Sequence, residues 1–328
     1  MSEVSISRIF VLALCLVWLL PGEAAVGKAL EKRLRRHVET LASDRFEGRG
    51  AQTRGDTLAA GYLLGQLRSR RGISLLGDGG LQYFSAEGQE GEQVASFNII
   101  GWIEGNDPRL KDEVVVVGAH YDHVGYEEEM DEDGNIISRK TFYGADDNAS
   151  GVAFVLELAR DLEKHRKQLK RSVMIVFFGA EEEGLLGSEY LCRHPVWPPE
   201  KRLVYMVNAD MVGRLTPGRG LTLWGVGSAF ESEAFIRSIP FPLRDEVKMN
   251  YIMGDDGGSD HRSFYDIGRI PVLCFTTGIH ADYHQPGDTA RKINFYGMSI
   301  LYDYAREIIR GVTETGRPMT YDPAADFK

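Results

Sequence analysis

Residues Val114–His123 have the sequence VVVVGAHYDH, in which four consecutive valines lead directly into a cluster of histidine and aspartate. A short continuous run of β-branched residues predicts a strand buried on both faces, as the strands of parallel sheets are. Similar apolar runs occur at Val173–Phe178, Leu203–Val207 and Pro271–Phe275, and acidic or histidine residues follow each of them. The sequence therefore predicts several buried strands that end in chemically reactive side chains.

Helical patterns separate these runs. Apolar periodicity predicts further strands at Phe97–Trp102 and Leu221–Gly225 and helices at Ala29–Leu41, Thr57–Arg70, Gly151–His165, Leu185–Arg193, Phe230–Ile239 and Met298–Val312. Strands that alternate with helices predict a single α/β domain whose central, mostly parallel (mixed) sheet is covered by helices on both faces. The acidic run Glu127–Asp133 lacks the ligand spacing of an EF-hand, so we expect a solvated loop there.

The composition is that of a soluble globular protein. The 328 residues include 48 Asp and Glu against 38 Lys and Arg, which gives a formal net charge of -10. Without a large basic patch, nucleic acids and anionic membranes are poor candidate partners. Three cysteines exclude a disulfide scaffold and a four-cysteine zinc site. Cys192 and Cys274 are either a disulfide or two buried thiols, and the sequence leaves both alternatives and the oligomeric state open.

The first 24 residues predict a signal peptide. Arg8 precedes an unbroken apolar run of 12 residues, Ile9–Leu20, and the small residues Gly22 and Ala24 then form a cleavage site. This run is short for a membrane span, although an uncleaved N-terminal anchor is the alternative. We expect residues 1–24 to be removed on export to the periplasm or the medium. Residues 25–328 would form the mature domain, without stable insertion in a membrane.

Side chains suited to metal binding are concentrated in five segments at predicted strand ends and helix starts. They are Gly118–His123, Gly144–Gly151, Gly179–Gly184, Asn208–Asp210 and Tyr283–Thr289. Ligands of open α/β sheets bind in the crevice beyond the carboxyl ends of the strands. Each segment alone has a structural explanation, such as a helix cap or a solvated helix start. Together, however, their carboxylates would repel one another unless cations lay between them. Histidine with carboxylate suits zinc, or less often cobalt or manganese.

In order and spacing these segments resemble the co-catalytic dizinc aminopeptidase family. That family includes secreted bacterial leucyl aminopeptidases, aminopeptidase Y and glutamate carboxypeptidases, with glutaminyl cyclases and the transferrin receptor as relatives. The resemblance covers essentially the whole mature chain, including Leu41–Gly50 and Ser259–His261, and leaves no room for the protease-associated insert of some members. It implies a zinc-exopeptidase-like fold and hydrolysis of peptides.

The resemblance also implies a site with two zinc ions, for which cobalt or manganese are substitutes. The implied ligands are His120 and Asp210 for one ion, Glu182 and His284 for the other, and Asp146 as the bridge between them. Asp122 would orient the imidazole of His120 from behind. Glu181 would be the general base that takes a proton from the attacking water.

Several residues near these ligands are candidates for the substrate pocket. The polar candidates are His123, Asp260, His261, His280 and Tyr283, and the apolar candidates are Met211, Met253, Phe264 and Phe275. Arg214 is a further candidate, because a carboxypeptidase needs a cation to bind the α-carboxylate of its substrate. A structural salt bridge is the simpler explanation for Arg214.

The leading functional hypothesis is an exported aminopeptidase that acts on peptides, with a carboxypeptidase or dipeptidase of the same family as the alternative. Glutaminyl cyclase relatives generally keep a single working zinc, so the presence of all five implied ligands favours hydrolysis. A catalytically inactive binding protein on the same fold is the distant alternative, although no implied ligand is missing. The sequence contains no H-E-x-x-H motif, and Gly257–His261 departs from the G-x-S-x-G motif of serine hydrolases at its last position.

Overall fold

The computed structural model describes residues 21–89, 91–255, 258–325 and 327. The apolar run Ile9–Leu20 lies outside these residues, and the signal peptide remains a prediction. Within the described residues, none of the helices combines the length and the apolar character that a membrane crossing requires.

The described part of the chain contains eleven β-strands and seven α-helices. The strands are β1 (Ser74–Leu75), β2 (Leu81–Glu87), β3 (Gln93–Ile103), β4 (Glu113–His120), β5 (Tyr126–Met130), β6 (Ile136–Thr141), β7 (Ser172–Phe178), β8 (Arg202–Ala209), β9 (Leu221–Trp224), β10 (Met249–Tyr251) and β11 (Val272–Thr276). The helices are α1 (Pro21–Leu41), α2 (Arg54–Arg68), α3 (Gly151–Lys164), α4 (Leu186–Arg193), α5 (Ser232–Ser238), α6 (His261–Asp266) and α7 (Phe295–Thr313).

Nine strands form one mixed sheet in the order β1-β3-β7-β4-β8-β11-β9-β10, with β2 paired to β3. The four central strands β7, β4, β8 and β11 are mutually parallel. The outer strands β3 and β9 run antiparallel to their neighbours β7 and β11. The predicted mixed α/β sheet is confirmed, and the parallel centre brings four carboxyl strand ends to one edge.

The valine run of β4 is continuous because both faces of the sheet are covered. Val115 and Val117 belong to the apolar cluster that the sheet forms with α1, α3 and α7. Val114 and Val116 point to the other face, where they belong to the cluster that includes residues of α4 and α6. Burial of each valine side chain stabilises the fold by about 1.5–3 kcal/mol. Helices therefore cover both faces, as the sequence predicts.

The acidic run Glu127–Asp133 differs from the solvated loop that we expected. Tyr126–Met130 and Ile136–Thr141 form an antiparallel hairpin outside the main sheet. Its turn is stabilised by Asp131, whose Oδ1 accepts a hydrogen bond of 2.7 Å from the backbone N–H of Asn135. Glu127 is exposed and Glu128 is partly buried, and each pairs with a basic side chain across the hairpin, which compensates the repulsion between the acidic groups.

Cys192 and Cys274 are free thiols in the structure, so the two-thiol alternative describes them. Cys274 is fully buried on β11, and Cys192 lies part-buried on α4. Burial raises the pKa of the Cys192 thiol to about 12.

A partly buried ion pair between α1 and α3 gives a first testable prediction. Arg33 donates a hydrogen bond of 2.7 Å to Glu157, and Nε2 of His37 lies 3.6 Å from the same carboxylate. Although burial alone would raise it, the contact with His37 and the hydrogen bond from Arg33 lower the pKa of Glu157 from 4.5 to about 2. We expect Glu157→Gln to reduce the free energy of unfolding at neutral pH by about 3 kcal/mol.

The pH dependence of that loss tests its cause. Because the folded-state pKa is depressed, the contribution of Glu157 is fully present above the ordinary value of 4.5 and is lost as the pH falls through about 2. Denaturant unfolding measures the free energy of unfolding of wild type and of Glu157→Gln. The difference between these two free energies should be constant near neutral pH and should shrink below pH 4.5. The exposed i,i+4 pair of Glu39 with Arg35 provides the control, since Glu39→Gln should cost at most about 0.5 kcal/mol. If the difference in free energy of unfolding between wild type and Glu157→Gln did not change with pH, the stabilisation could not be assigned to the ionised carboxylate of Glu157.

Candidate metal centre

Several predicted site residues lie together at the carboxyl edge of the parallel strands, beside Asp147, which was not predicted as a site residue. Strand β4 ends at His120, and Asp210 directly follows β8. Glu181 and Glu182 lie in the turn after β7, and Asp147 lies in the irregular segment that precedes α3. Since these strands are neighbours in the sheet, their polar ends converge although they are far apart in sequence.

The side chains form two halves that share one carboxylate. In the first half, Nε2 of His120 lies 3.4 Å from Oδ1 of Asp147 and 3.5 Å from Oδ1 of Asp210. In the second half, Nε2 of His284 lies 3.2 Å from Oδ2 of Asp147 and 2.9 Å from Oε2 of Glu182. Asp147 thus directs one oxygen to each half.

The shared carboxylate belongs to Asp147 and not to Asp146, which we predicted for this position. Oδ1 of Asp146 accepts a hydrogen bond of 2.6 Å from the backbone N–H of Gly213, and Oδ2 lies 3.2 Å from Nε2 of His280. Backbone φ and ψ of -102° and 96° at Asp147 are not helical, so the two adjacent carboxylates point in different directions. The backbone N–H groups of both residues donate to Asp288, which fixes this arrangement.

The crowding of buried carboxylates shifts their pKa values in opposite directions. Burial, with the charges of Glu182 and Asp260, raises the pKa of Glu181 well above its usual value. Asp147 is also buried, but the neighbouring imidazoles of His120 and His284 hold its pKa well below the usual range. Although burial opposes the charged imidazole, contacts with Asp147 and Glu182 raise the pKa of His284 to about 10. The buried carboxylates therefore require positive charge beside them, either as protons on His120 and His284 or as metal ions.

The donor set fits metal ions in place of those protons. Oδ2 of Asp147, Oδ1 of Asp210 and Nε2 of His284 are buried and make no hydrogen bond of normal geometry with any residue that the structure describes. Possible ligand atoms lie within 4.8 Å of one another in three overlapping groups. The first group consists of His123, Asp147, Glu182 and His284. The second consists of His120, Glu181 and Glu182, and the third of His120, Asp147 and Asp210. Imidazole nitrogen with carboxylate oxygen is a common zinc environment.

Asp122 positions the two glutamates. Its buried carboxylate accepts hydrogen bonds from the backbone N–H groups of Glu181 and Glu182, at 3.1 and 3.2 Å. Oδ1 lies 3.8 Å from Nδ1 of His120, which is longer than a hydrogen bond. Burial raises the pKa of Asp122 to about 8. In the structure Asp122 therefore braces the turn after β7 more directly than it orients His120.

A cavity of about 200 Å³ opens onto this cluster. Its lining consists of His120, Asp147, Glu181, Glu182, Asp210, Met211, Trp224, Gly258, Thr276, Gly278, Ile279 and Tyr283. Met211 and Tyr283 were predicted for the pocket, but Phe264 and Phe275 are buried in the core instead. Trp224 and Ile279 were missed, because an apolar residue at a strand end or in a loop carries no sequence feature that separates pocket from core.

The other candidates for substrate binding have different surroundings. His280 contacts Asp146, and the fully buried ring of His261 stacks on Trp224 with centroids 6.1 Å apart. Asp260 is fully buried near Glu181, and burial raises its pKa to about 7. Arg214 lies 2.7 Å from Asp288 and 3.3 Å from Asp282, which is the structural salt bridge that the sequence favoured.

Arg49 supports the site and was missed by sequence reasoning. Its fully buried guanidinium donates to the backbone carbonyls of Leu41, Tyr121, Tyr143 and Gly144. These bonds tie the segment after β4 to the segment that leads into Asp147. Burial lowers the pKa of Arg49 to about 10, which leaves the side chain charged at neutral pH. Its location between two glycines, inside the segment that resembles the aminopeptidase family, was the available signal.

Known proteins share this fold and part of this sequence. The sequence model of peptidase family M28 matches residues 98–309. The protein YfbL of Escherichia coli K12 is 29% identical over 220 residues, which cover 58% of this chain and 64% of YfbL. Aminopeptidase YwaD of Bacillus subtilis 168 is also 29% identical, over 206 residues that cover 61% of this chain and 41% of YwaD. The chain therefore spans less than two thirds of either relative.

Solved structures confirm the architecture. A zinc-dependent exopeptidase from Parabacteroides distasonis superposes with a TM-score of 0.66 at 19% identity, covering 85% of this chain and 97% of the other. A glutaminyl cyclase from Bacteroides thetaiotaomicron superposes with a TM-score of 0.65 at 20% identity and the same coverage. At such low identity the likeness establishes the fold alone.

Proposed function

This chain belongs to peptidase family M28, and on that premise we propose that it is a metal-dependent aminopeptidase that removes N-terminal residues from peptides. The observation that carries the proposal is the pair of histidine and carboxylate groups that meet at Asp147, which lines a cavity of about 200 Å³. Export by residues 1–24, to the periplasm or the medium, is part of the proposal and rests on the sequence.

The proposed site holds two zinc ions. Its ligands would be His120 and Asp210 on one side, Glu182 and His284 on the other, and Asp147 between them. Bound there, the ions would lower the pKa of a water molecule and polarise the carbonyl group of the scissile bond. The orphaned buried atoms of Asp147, Asp210 and His284 support this assignment.

Glu181 supplies the proton transfers. Its carboxylate lines the cavity, with Oε2 3.9 Å from Nδ1 of His120, and lies outside the two halves that meet at Asp147. Glu181 takes a proton from the attacking water while the water oxygen bonds to the carbonyl carbon. It returns that proton to the nitrogen of the departing amine as the C–N bond breaks. Its raised pKa suits a group that must both accept and release a proton.

The charge of the cavity favours an amino over a carboxyl terminus. Four carboxylates line it, and none of the lining side chains in the described part of the chain is Lys or Arg. Arg214, which a carboxypeptidase would need, is held by Asp282 and Asp288. The two zinc ions of the proposed site would offset the charges of these four carboxylates, so the preference rests on the absence of a lysine or arginine among the described lining residues that could bind an α-carboxylate.

The apolar part of the lining indicates the preferred side chain. Met211, Trp224, Ile279 and Tyr283 surround the cavity beside the carboxylates. Apolar walls with a few polar groups are typical of pockets that bind an apolar group in a fixed orientation. We therefore propose substrates whose first residue is apolar, such as leucine or phenylalanine.

Mass spectrometry of peptide products tests the function. Zinc-loaded protein should shorten a peptide with N-terminal leucine stepwise from that end, and N-acetylation or a chelator should block the reaction. Removal of residues from the other end, or cleavage of the acetylated peptide, would contradict the aminopeptidase. A matched peptide with N-terminal glutamine tests the alternative that the cyclase fold raises, since cyclisation would release ammonia without shortening the chain. The absence of any shortening by zinc-loaded protein would overturn the proposal.

A further inference from the structure

His123 is a third imidazole at the metal centre. It follows His120 by three residues and is 1% exposed. Nδ1 lies 2.7 Å from Oε1 of Glu182 and 3.7 Å from Oδ2 of Asp147. Its ring centre is 5.5 Å from that of His284, at an interplanar angle of 72°. His123 therefore directs a nitrogen into the space that His284, Glu182 and Asp147 share.

This position is fixed from behind by packing. Gly144 has a φ of +54°, and a Cβ at this residue would lie 2.5 Å from Cδ2 of the His123 ring. The backbone N–H of His123 donates to the carbonyl of Arg49 at 3.2 Å. Nε2 of His123 is buried and makes no hydrogen bond among the described residues. The ring of His123 is therefore oriented by its contact with Gly144 and not by a hydrogen bond to Nε2. In this orientation Nδ1 faces the carboxylates of Glu182 and Asp147.

His123 is also unavailable to a substrate. It is buried and is absent from the cavity lining, although sequence reasoning made it a pocket candidate. The two halves of the centre are consequently unequal. One offers His123, Asp147, Glu182 and His284, whereas the other offers His120, Asp147 and Asp210.

We propose that His123 is a sixth protein ligand, which makes its half a four-ligand site that binds its metal ion more tightly than the half of His120 and Asp210. The inference rests on the proposed two-metal function. Zinc sites with four protein ligands are closed and structural, while those with three keep a position for water or substrate. The half of His123 therefore fills first and anchors the centre, and the half of His120 is the one that exchanges its ion and faces the substrate.

The competing explanation is that His123 only donates a hydrogen bond to Glu182. Two substitutions separate the alternatives. His123→Asn keeps a donor near the position of Nδ1 but removes the imidazole ligand. His123→Cys supplies a different ligand, and because a zinc–sulfur bond of about 2.3 Å is longer than a zinc–nitrogen bond of about 2.0–2.1 Å, the shorter side chain can still reach the ion.

Titration of metal-free protein with Co²⁺, followed by absorption spectroscopy, is the test. Wild type should bind two equivalents in separate steps, the first tighter than the second. His123→Asn should weaken the first step by at least about a hundredfold, since loss of even an outer-shell partner costs 10–100-fold. His123→Cys should show a thiolate-to-cobalt charge-transfer band that saturates with the first equivalent. The control is His37→Asn, which alters a buried histidine of α1 that lies beside Glu157 of α3. This variant should keep both cobalt-binding steps.

The outcomes distinguish this inference from the proposed function. Two-step binding by wild type that is unchanged in His123→Asn would overturn the ligand role of His123 and leave the two-metal site standing. The absence of a thiolate band in a folded His123→Cys variant that binds cobalt would do the same. Wild-type protein that binds no cobalt would overturn both. Thermal unfolding of each metal-free variant establishes that it is folded.

Discussion

Replacement of Glu181 by glutamine is expected to lower kcat for peptide hydrolysis by at least about a hundredfold, on the scale of general-base loss. Glutamine keeps the shape and hydrogen-bonding capacity of the side chain but cannot take a proton from water. The zinc content should not change, because the side chain lies beside Nδ1 of His120, away from the Nε2 that faces Asp147 and Asp210. Steady-state kinetics on a peptide with N-terminal leucine, together with elemental analysis of the protein, measures both quantities.

Glu189→Gln is the matched control. This glutamate lies on α4, pairs with Arg193 across one helical turn, and is 42% exposed. Its substitution should change neither kcat nor zinc content. Full activity in Glu181→Gln would show that another group moves the proton. Loss of zinc from Glu181→Gln would instead make Glu181 a ligand, within the group that it forms with His120 and Glu182.

The second large effect is expected at Asp147. Asp147→Asn should abolish tight binding of both ions, because this carboxylate directs one oxygen towards His120 and the other towards His284. A loss of at least about a hundredfold in affinity at each half exceeds the effect of removing an outer-shell partner. Zinc stoichiometry after dialysis against a competing chelator measures the loss, and activity should fall with it.

The neighbouring Asp146→Asn is the discriminating control. An asparagine at this position still accepts the hydrogen bond from Gly213, so the segment before α3 should keep its conformation and the protein should keep its zinc. The opposite order, with zinc lost from Asp146→Asn and retained by Asp147→Asn, would make Asp146 the bridging residue. The two variants differ by one position in sequence and by no charge.

The sequence predicted the location of a site residue wherever that residue lies at the end of a regular strand. The valine run of β4 predicts a buried strand, and a strand end in a parallel sheet determines the edge at which the next residue lies. The location of His120 and Asp210 at this edge could be predicted for this reason, since each lies at or directly after a strand, whereas their roles as ligands are what the family resemblance implies. The same rule accounts for Glu181 and Glu182, which lie in the turn after β7.

Where the backbone is irregular, strand ends do not determine the direction of a side chain, and the family resemblance implied Asp146 for the position that Asp147 occupies. Asp146 and Asp147 are adjacent acids, and only the non-helical φ and ψ of Asp147 decide which of them faces the histidines. The direction of His123 depends on contact with Gly144, which is distant in sequence. Arg49 binds four carbonyls that no pattern in the sequence connects. These contacts are long-range, and single-sequence patterns describe only local structure.

Diffraction from crystals of zinc-loaded protein, with anomalous differences measured on both sides of the zinc absorption edge, tests the two-metal centre most directly. Two zinc peaks are expected, one beside Oδ1 of Asp147 towards His120 and Asp210, and one beside Oδ2 towards His284, Glu182 and His123. A single peak, or peaks that do not flank the carboxylate of Asp147, would contradict the proposed centre.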